Sequence, residues 1–235
     1  MRIMGLNQRI TAAGLVLGMS LVAACDLSPD FGPLSLAART GDVQAVRALL
    51  SAGADPNAAD GPRRSRALAN AARVGRLDTM AVLLAAGADP DLPDVGGNRW
   101  IPLMHALHKH RTASVRFLLE HGARADGPDG LTLTPLMMAA ATGQIDAVRL
   151  LLDRGANPRR PLPEGGSILD LAVSGGALTD IDEPLLGACH LETVQLLVER
   201  APDLRMGRTW RARLAGLFAR MNGCQAALDI VSARR

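Results

Sequence analysis

Tyrosine is absent from the 235 residues, and three Phe and two Trp are the whole supply of large aromatic side chains. Strands draw on aromatic and β-branched residues, so this shortage, beside an abundance of Ala, Leu and Gly, favours closely packed helices over sheet. A Gly-x-Ser-x-Gly elbow, a Walker-type loop, paired catalytic carboxylates and a Cys/His dyad are all missing, which removes every motif-based argument for an enzyme or a bound cofactor. Charge of one sign is missing too. The formal net charge is +3, from 26 basic and 23 acidic residues, too little for the dense basic face that nucleic acid demands. With 48% of its residues apolar, the chain is able to bury a core.

What is present begins with "MRIMGLNQRITAAGLVLGMSLVAAC", in which Arg2 and Arg9 precede an apolar run from Ile10 to Ala24. A basic start, a run of about fifteen apolar residues and small residues before Cys25 have the form of an export signal, short of the roughly twenty residues a spanning helix needs. Val22-Ala23-Ala24-Cys25 resembles the lipobox of bacterial lipoproteins. That resemblance implies cleavage before Cys25 and lipid on its thiol; plain secretion and an uncleaved anchor are the alternatives. Asp26 resembles the residue that retains such lipoproteins at the inner membrane, a rule that differs between bacteria. Cleavage removes two arginines and no acid, so the mature charge falls to +1. The expectation is a periplasm-facing, lipid-tethered monomer that meets no nucleic acid.

The rest of the chain repeats itself. "GADPN" at Gly53 returns as "GADPD" at Gly87, and Gly53, Gly87, Gly122 and Gly155 are separated by 34, 35 and 33 residues. Pro33-Leu34, Ala67-Leu68, Pro102-Leu103 and Pro135-Leu136 stand twenty residues before these glycines, and Gly41, Gly75, His110 and Gly143 twelve before. "GPLSLAARTGDVQAVRALLSAGADPN" and "TPLMMAAATGQIDAVRLLLDRGANP" resemble ankyrin repeats, which open on Thr-Pro-Leu-His-x-Ala. The resemblance implies an all-α solenoid of helix–turn–helix units joined by hairpin-like fingers. The residues agree: Pro is suited to the first helical position, and Leu34, Leu36, Ala37 and Ala38 form a packing face answered by Val46, Leu49 and Leu50. Gly53 is expected to end the second helix as a left-handed cap, with Asp55-Pro56 turning the chain into the finger.

A fifth unit opens at Ile168, but its second helix resumes only near Leu191, which places the turn glycine at 176 and an acidic insert at 177–189. The segments Trp210 to Arg220 and Cys224 to Val231 read as two amphipathic helices of a terminal cap, since the end of a solenoid must present a wet face. The chain thus divides into a signal at 1–24, a lipidated segment at 25–32, and units at 33–66, 67–101, 102–134, 135–167 and 168–201. A helical cap follows at 202–235.

Binding chemistry has few candidates. His105, His108 and His110 are an imidazole cluster suited to zinc or nickel, and with Asp180, Asp182 and Glu183 of the insert they carry the alternative of a metal-dependent envelope enzyme. In repeat register, however, they occupy three different environments, so no metal site is expected. Cys189 and Cys224, the cysteines remaining after processing, form a disulfide in an oxidising envelope or are two independent small buried residues. The resemblance to ankyrin stacks places partner binding on exposed first-helix positions and fingertips. Those positions are Arg39, Arg73, Arg63, Arg64, Arg66, Trp100, Arg159 and Arg160, and Arg and Trp are frequent interface anchors. A non-catalytic protein-binding module of the envelope follows, either an immunity protein against a periplasmic toxin or an adaptor for an envelope enzyme.

Overall fold

The computed structural model describes residues 30–96, 98–162, 165–175, 189–208, 210–221 and 223–233. The signal segment, Cys25, Asp26 and residues 177–188 of the insert, with Asp180, Asp182 and Glu183, lie outside the described residues.

Short helices come in pairs: α1 Pro33–Thr40 and α2 Val43–Ser51, α3 Ala67–Val74 and α4 Leu77–Ala85, α5 Pro102–His108 and α6 Thr112–Glu120. The series continues with α7 Pro135–Ala141 and α8 Ile145–Asp153, α9 Ile168–Ser174 and α10 Leu191–Arg200, and α11 Trp210–Met221 and α12 Gln225–Ser232. The first member of each pair packs on the first member of the next, from α1 through to α11, to form an inner row. Outer helices stack likewise: α2 on α4, α6 on α8, α8 on α10, and α10 on α12. The result is an all-α solenoid.

Alanine makes the inner row possible. All seven residues of α7 are buried, and so are Ala67 to Ala72 in α3, because side chains this small let neighbouring backbones approach on both sides. Ser35 is also fully buried and donates from its hydroxyl to the Ser65 carbonyl, whereas Leu36, expected on the packing face, is only half-buried. Each outer helix instead commits one face. Val46, Met80, Val115, Val148, Val194 and Leu228 occupy the same register position and are all buried.

The turn within each pair is held by one recurring backbone bond. The amides of Asp42, Arg76, Arg111, Gln144, His190 and Cys224 donate to the carbonyls of Ala37, Ala71, Ala106, Ala139, Ala172 and Ala219 at 2.7–3.1 Å. This bond survives the fifth unit's insertion: α9 ends at a left-handed Gly175 rather than at 176, and His190 still finds Ala172. It also appears between α11 and α12, so the segment after Pro202 continues the solenoid geometry as a sixth helix pair.

The outer helices end as the repeated glycines require. At Gly53 (φ 90°) the Ala54 amide donates to the Leu49 carbonyl and the Gly53 amide to Leu50, a Schellman closure repeated at Gly87 and Gly155. The helix is therefore finished before Pro56. Asp55 turns the backbone by accepting the Asn57 amide at 2.8 Å. Among the described residues, only the first finger carries a paired ladder, with β1 Ala59–Asp60 antiparallel to β2 Ser65–Arg66.

Candidate interaction groove

Residues at one register position of the inner row line up along the same face of the solenoid. Arg39 lies in the last turn of α1 and Arg73 in that of α3, and His108 holds the equivalent place in α5. Together with the first finger and the segment before α5, they enclose two adjoining cavities of about 400 and 290 Å³ that share Phe31, Arg63 and Arg73. The larger is walled by Trp100, whose ring sits 5.0 Å from His108 and 5.6 Å from His105, with Asn70 and Ser65 also lining it. The smaller is lined by Arg39, Arg63, Arg73, Lys109 and Arg111, with Phe31 and Val74. Phe31 supports two of these cations, with the Arg39 guanidinium 4.9 Å and that of Arg63 5.4 Å from its centroid.

Acidic side chains near the groove are already engaged. Asp30 pairs with Arg63 at 2.9 Å. Asp94 accepts the Arg66 amide, capping α3, and faces His105 Nε2 at 2.9 Å. Among the described residues, no carboxylate partners Arg39, Arg73, Lys109 or Arg111.

Of the eight residues expected at the interface, Arg39, Arg63, Arg73 and Trp100 converge here. The other four do not. Arg64 sits at the tip of the first finger with φ 50°. Arg66 is directed inward, with its guanidinium donating to the Pro93 and Asn57 carbonyls, and Arg160 donates to the Leu131 carbonyl. Arg159 forms a two-pronged bond to Asp203. His105, His108 and His110 also part company, for His110 stands exposed at the turn in a left-handed conformation. Among the described residues, no group of three His, Cys, Asp or Glu is placed to hold a metal ion.

The fingers hold a ladder that the sequence reading missed. Asn57 accepts the Asp89 amide at 2.7 Å, Asp91 that of Arg124 at 3.0 Å, and Asp126 that of Asn157 at 3.0 Å. The last letter of "GADPN" and "GADPD" thus stitches each finger to the next. The lone recurring carboxylate or amide at that position was the available signal.

The covering of one turn by the next unit follows its own rule. A Cβ on Gly41 would meet Arg76, one on Gly75 would approach Arg111, and one on Gly143 would meet His190. In the fifth unit Cys189 takes the turn position, so Cys224 lies against it, and the two free thiols interact. Burial first, then the hydrogen bond with Cys224, pushes the Cys189 thiol up to about 12. His190, covering Gly143, is held below the usual imidazole range by burial, opposed by a hydrogen bond to the Ala141 carbonyl. Asp170 in α9 is 1% exposed; desolvation raises its carboxyl, while the Ser167 and Gly207 amides donating to it pull the other way.

Stacked helix pairs with an aromatic and cationic inner groove define a helical repeat solenoid with a recognition surface on its inner row. Two models, described as ankyrin repeats (three copies) at residues 68–161 and ankyrin repeat at 31–61, match just over half of the chain together. The chain belongs to the ankyrin-repeat family. It is 34% identical over 90 residues to the Aspergillus oryzae ankyrin repeat domain-containing protein oryK, covering 38% of this chain and 14% of that protein. It is 43% identical over 63 residues to the human DNA-binding protein RFXANK, covering 25% of this chain and 24% of that one. It is also 42% identical over 72 residues to ankyrin repeat and SOCS box protein 11 of Pongo abelii, covering 31% and 22%. The chain thus spans a quarter or less of these curated relatives. As an ankyrin-repeat chain it is a protein–protein interaction module.

Proposed function

We propose that this module works, without catalysis, as a monomer tethered by lipid on Cys25 to the periplasmic face of a bacterial envelope membrane. It binds one envelope protein through the groove around Trp100, Arg39, Arg63 and Arg73. The observation that carries the binding reading is the convergence of these four residues, from four separate segments, on one concave surface. The tether rests on the basic start, apolar run and lipobox-like end of residues 1–25. Among the described residues, no helix is long and apolar enough to cross a membrane. A lipid anchor raises the effective concentration of the module for membrane-proximal partners, so a modest interface suffices. Immunity against a delivered toxin and protection of a resident enzyme both fit this geometry.

The same reading places a disulfide between Cys189 and Cys224, tying α10 to α12 across the register at which one unit covers the next. Its formation transfers two electrons and two protons from the thiols to an envelope thiol–disulfide oxidoreductase, whose own disulfide is reduced. Thiol titration after purification without reductant should find neither cysteine reactive; two reactive thiols would end this part of the reading.

The main test is affinity purification of the full chain from its own envelope, beside W100A/R63A/R73A and C25S. A protein recovered with the parent and lost from the triple variant supports the groove, and incorporation of labelled fatty acid that C25S abolishes supports the anchor. Identical proteins with parent and triple variant would refute the groove, and unlabelled parent would refute the anchor.

A further inference from the structure

Resting on the interaction reading, we infer that the groove recognises an acidic, extended segment of its partner, with carboxylates against Arg39, Arg73, Lys109 and Arg111 and an apolar or aromatic side chain against Trp100. The argument is one of charge and shape. Among the described residues, the smaller cavity is lined by five cationic side chains and no acid. Arg63 has Asp30 as a partner, but the other four have no carboxylate among the described residues. Five like charges around about 290 Å³ repel one another, and an incoming carboxylate relieves that repulsion while gaining forked hydrogen bonds from guanidinium groups.

The larger cavity adds what a simple anion site lacks. Trp100 stands over His108 and His105 with part of its surface open, a flat apolar wall with a polar floor of Ser65, Asn70 and Asp94, whose carboxylate is already engaged by the Arg66 amide and His105. The two cavities adjoin through Phe31, Arg63 and Arg73, so a ligand that fills both must be long enough to pass from Lys109 and Arg111 to Trp100. Each holds only a few side chains, which suits an extended peptide better than a folded surface. A peptide is favoured over nucleic acid because the whole chain carries a net charge of only +3, too little for the dense basic face that a phosphate backbone demands.

The test uses the full chain with W210F, which leaves Trp100 as the sole fluorescent tryptophan. Three synthetic dodecapeptides serve as probes: (Glu-Asp-Phe-Glu)₃, its Gln/Asn counterpart and its Lys counterpart. A twelve-nucleotide single strand is the fourth. The expected result is a Trp100 emission change with the acidic peptide, at least tenfold tighter than with the amide peptide, and weakened at least tenfold between 50 and 300 mM salt. R73E and the double variant R39E/K109E should each lose at least tenfold, while R149E on the outer helix α8 should bind like the parent. Melting temperatures show which variants remain folded, and two independent reversals keep the test decisive if one does not.

Equal binding of acidic and amide peptides, insensitivity to both reversals, or tighter binding of the oligonucleotide would overturn the acidic-segment inference. If a partner protein is still captured and lost on W100A/R63A/R73A while the acidic peptide fails, the groove stands and only its charge preference falls. If neither peptide nor partner responds to groove substitutions, both readings fall together.

Discussion

The first four units and the last two solve the same stacking problem by different means. Between the early units, joining is short-range and repeated: a side-chain oxygen of Asn57, Asp91 or Asp126 takes one amide from the next finger. Beyond the fourth finger the ladder gives way to the Arg159–Asp203 ion pair and to buried Asp170, which caps its own helix through Ser167 and reaches Gly207 across 37 residues. Exposed, repeated bonds are individually cheap to lose. A single buried carboxylate concentrates the same task in one residue, and that predicts a steep asymmetry.

The largest expected effect tests that asymmetry directly. Asp170→Ala leaves the Ser167 and Gly207 amides without their acceptor and should cost about 3 kcal/mol, after allowing for relief of the buried charge. Asn57→Ala removes two exposed bonds, to Asp89 and Gly87, and should cost about 1 kcal/mol. Urea denaturation of both variants decides the matter; similar losses would mean that the two halves are stitched equally.

A second pair separates backbone conformation from packing. Gly53 and Gly143 both have positive φ, yet a Cβ on Gly53 meets nothing within 4 Å while one on Gly143 would run into the His190 imidazole. Gly53→Ala should therefore lose only the conformational part, about 1 kcal/mol, and Gly143→Ala about 2 kcal/mol or more. Equal losses would show that His190 yields its place freely.

These contrasts explain which parts of the molecule were legible in the sequence. The solenoid was, because Gly53, Gly87, Gly122 and Gly155 answer to one backbone requirement that glycine meets best, and a period of 33–35 residues survives many side-chain changes. The groove was half legible. Arg39 and Arg73 follow from register, but Lys109 and Arg111 flank His110, where the third unit departs from the repeat, and Phe31 precedes the first unit. The finger ladder stayed hidden for another reason: a recurring Asp or Asn after a helix is fully explained by its own turn, and only the stacked fingers reveal that it serves the neighbour. Arg66 and Arg160 were misleading in the same way, since a guanidinium at a finger reads as exposed until the carbonyls around it are placed.

The third unit offers a gain instead of a loss. His110 adopts φ 53° where Gly41, Gly75 and Gly143 stand in the neighbouring units, and a side chain in this region costs about 1 kcal/mol. His110→Gly should raise stability by up to that amount, reduced by glycine's greater freedom in the unfolded chain. A fall in melting temperature would mean that the imidazole has a role at the turn that outweighs its strain.

The smallest effect distinguishes the junction of the fourth and fifth units from those before it, and it is read by pH. Arg76, Arg111 and Gln144 cover the preceding turns with guanidinium or amide side chains, whereas His190 does so with an imidazole whose Nε2 has no hydrogen-bond partner among the described residues. Burial lowers its folded pKa below the ordinary 6.5, so the unfolded chain takes up the proton first as pH falls. The stability it contributes is whole above about 6.5 and drains away as pH drops through the lower folded value. Because the residue is only half-buried, screening keeps the loss below about 1 kcal/mol. Asp170 acts in the opposite sense from its ordinary 3.8 upward, because its raised carboxyl makes the folded form the better proton acceptor, so the two groups pull the stability curve in opposite directions. His190→Gln, which copies Gln144, should flatten the melting-temperature curve between pH 7 and 5.5 and leave its lower end unchanged. If the slope in that interval persisted in H190Q, the acid sensitivity would belong to another group, and the fifth unit would be covering the fourth with no electrostatic cost of its own.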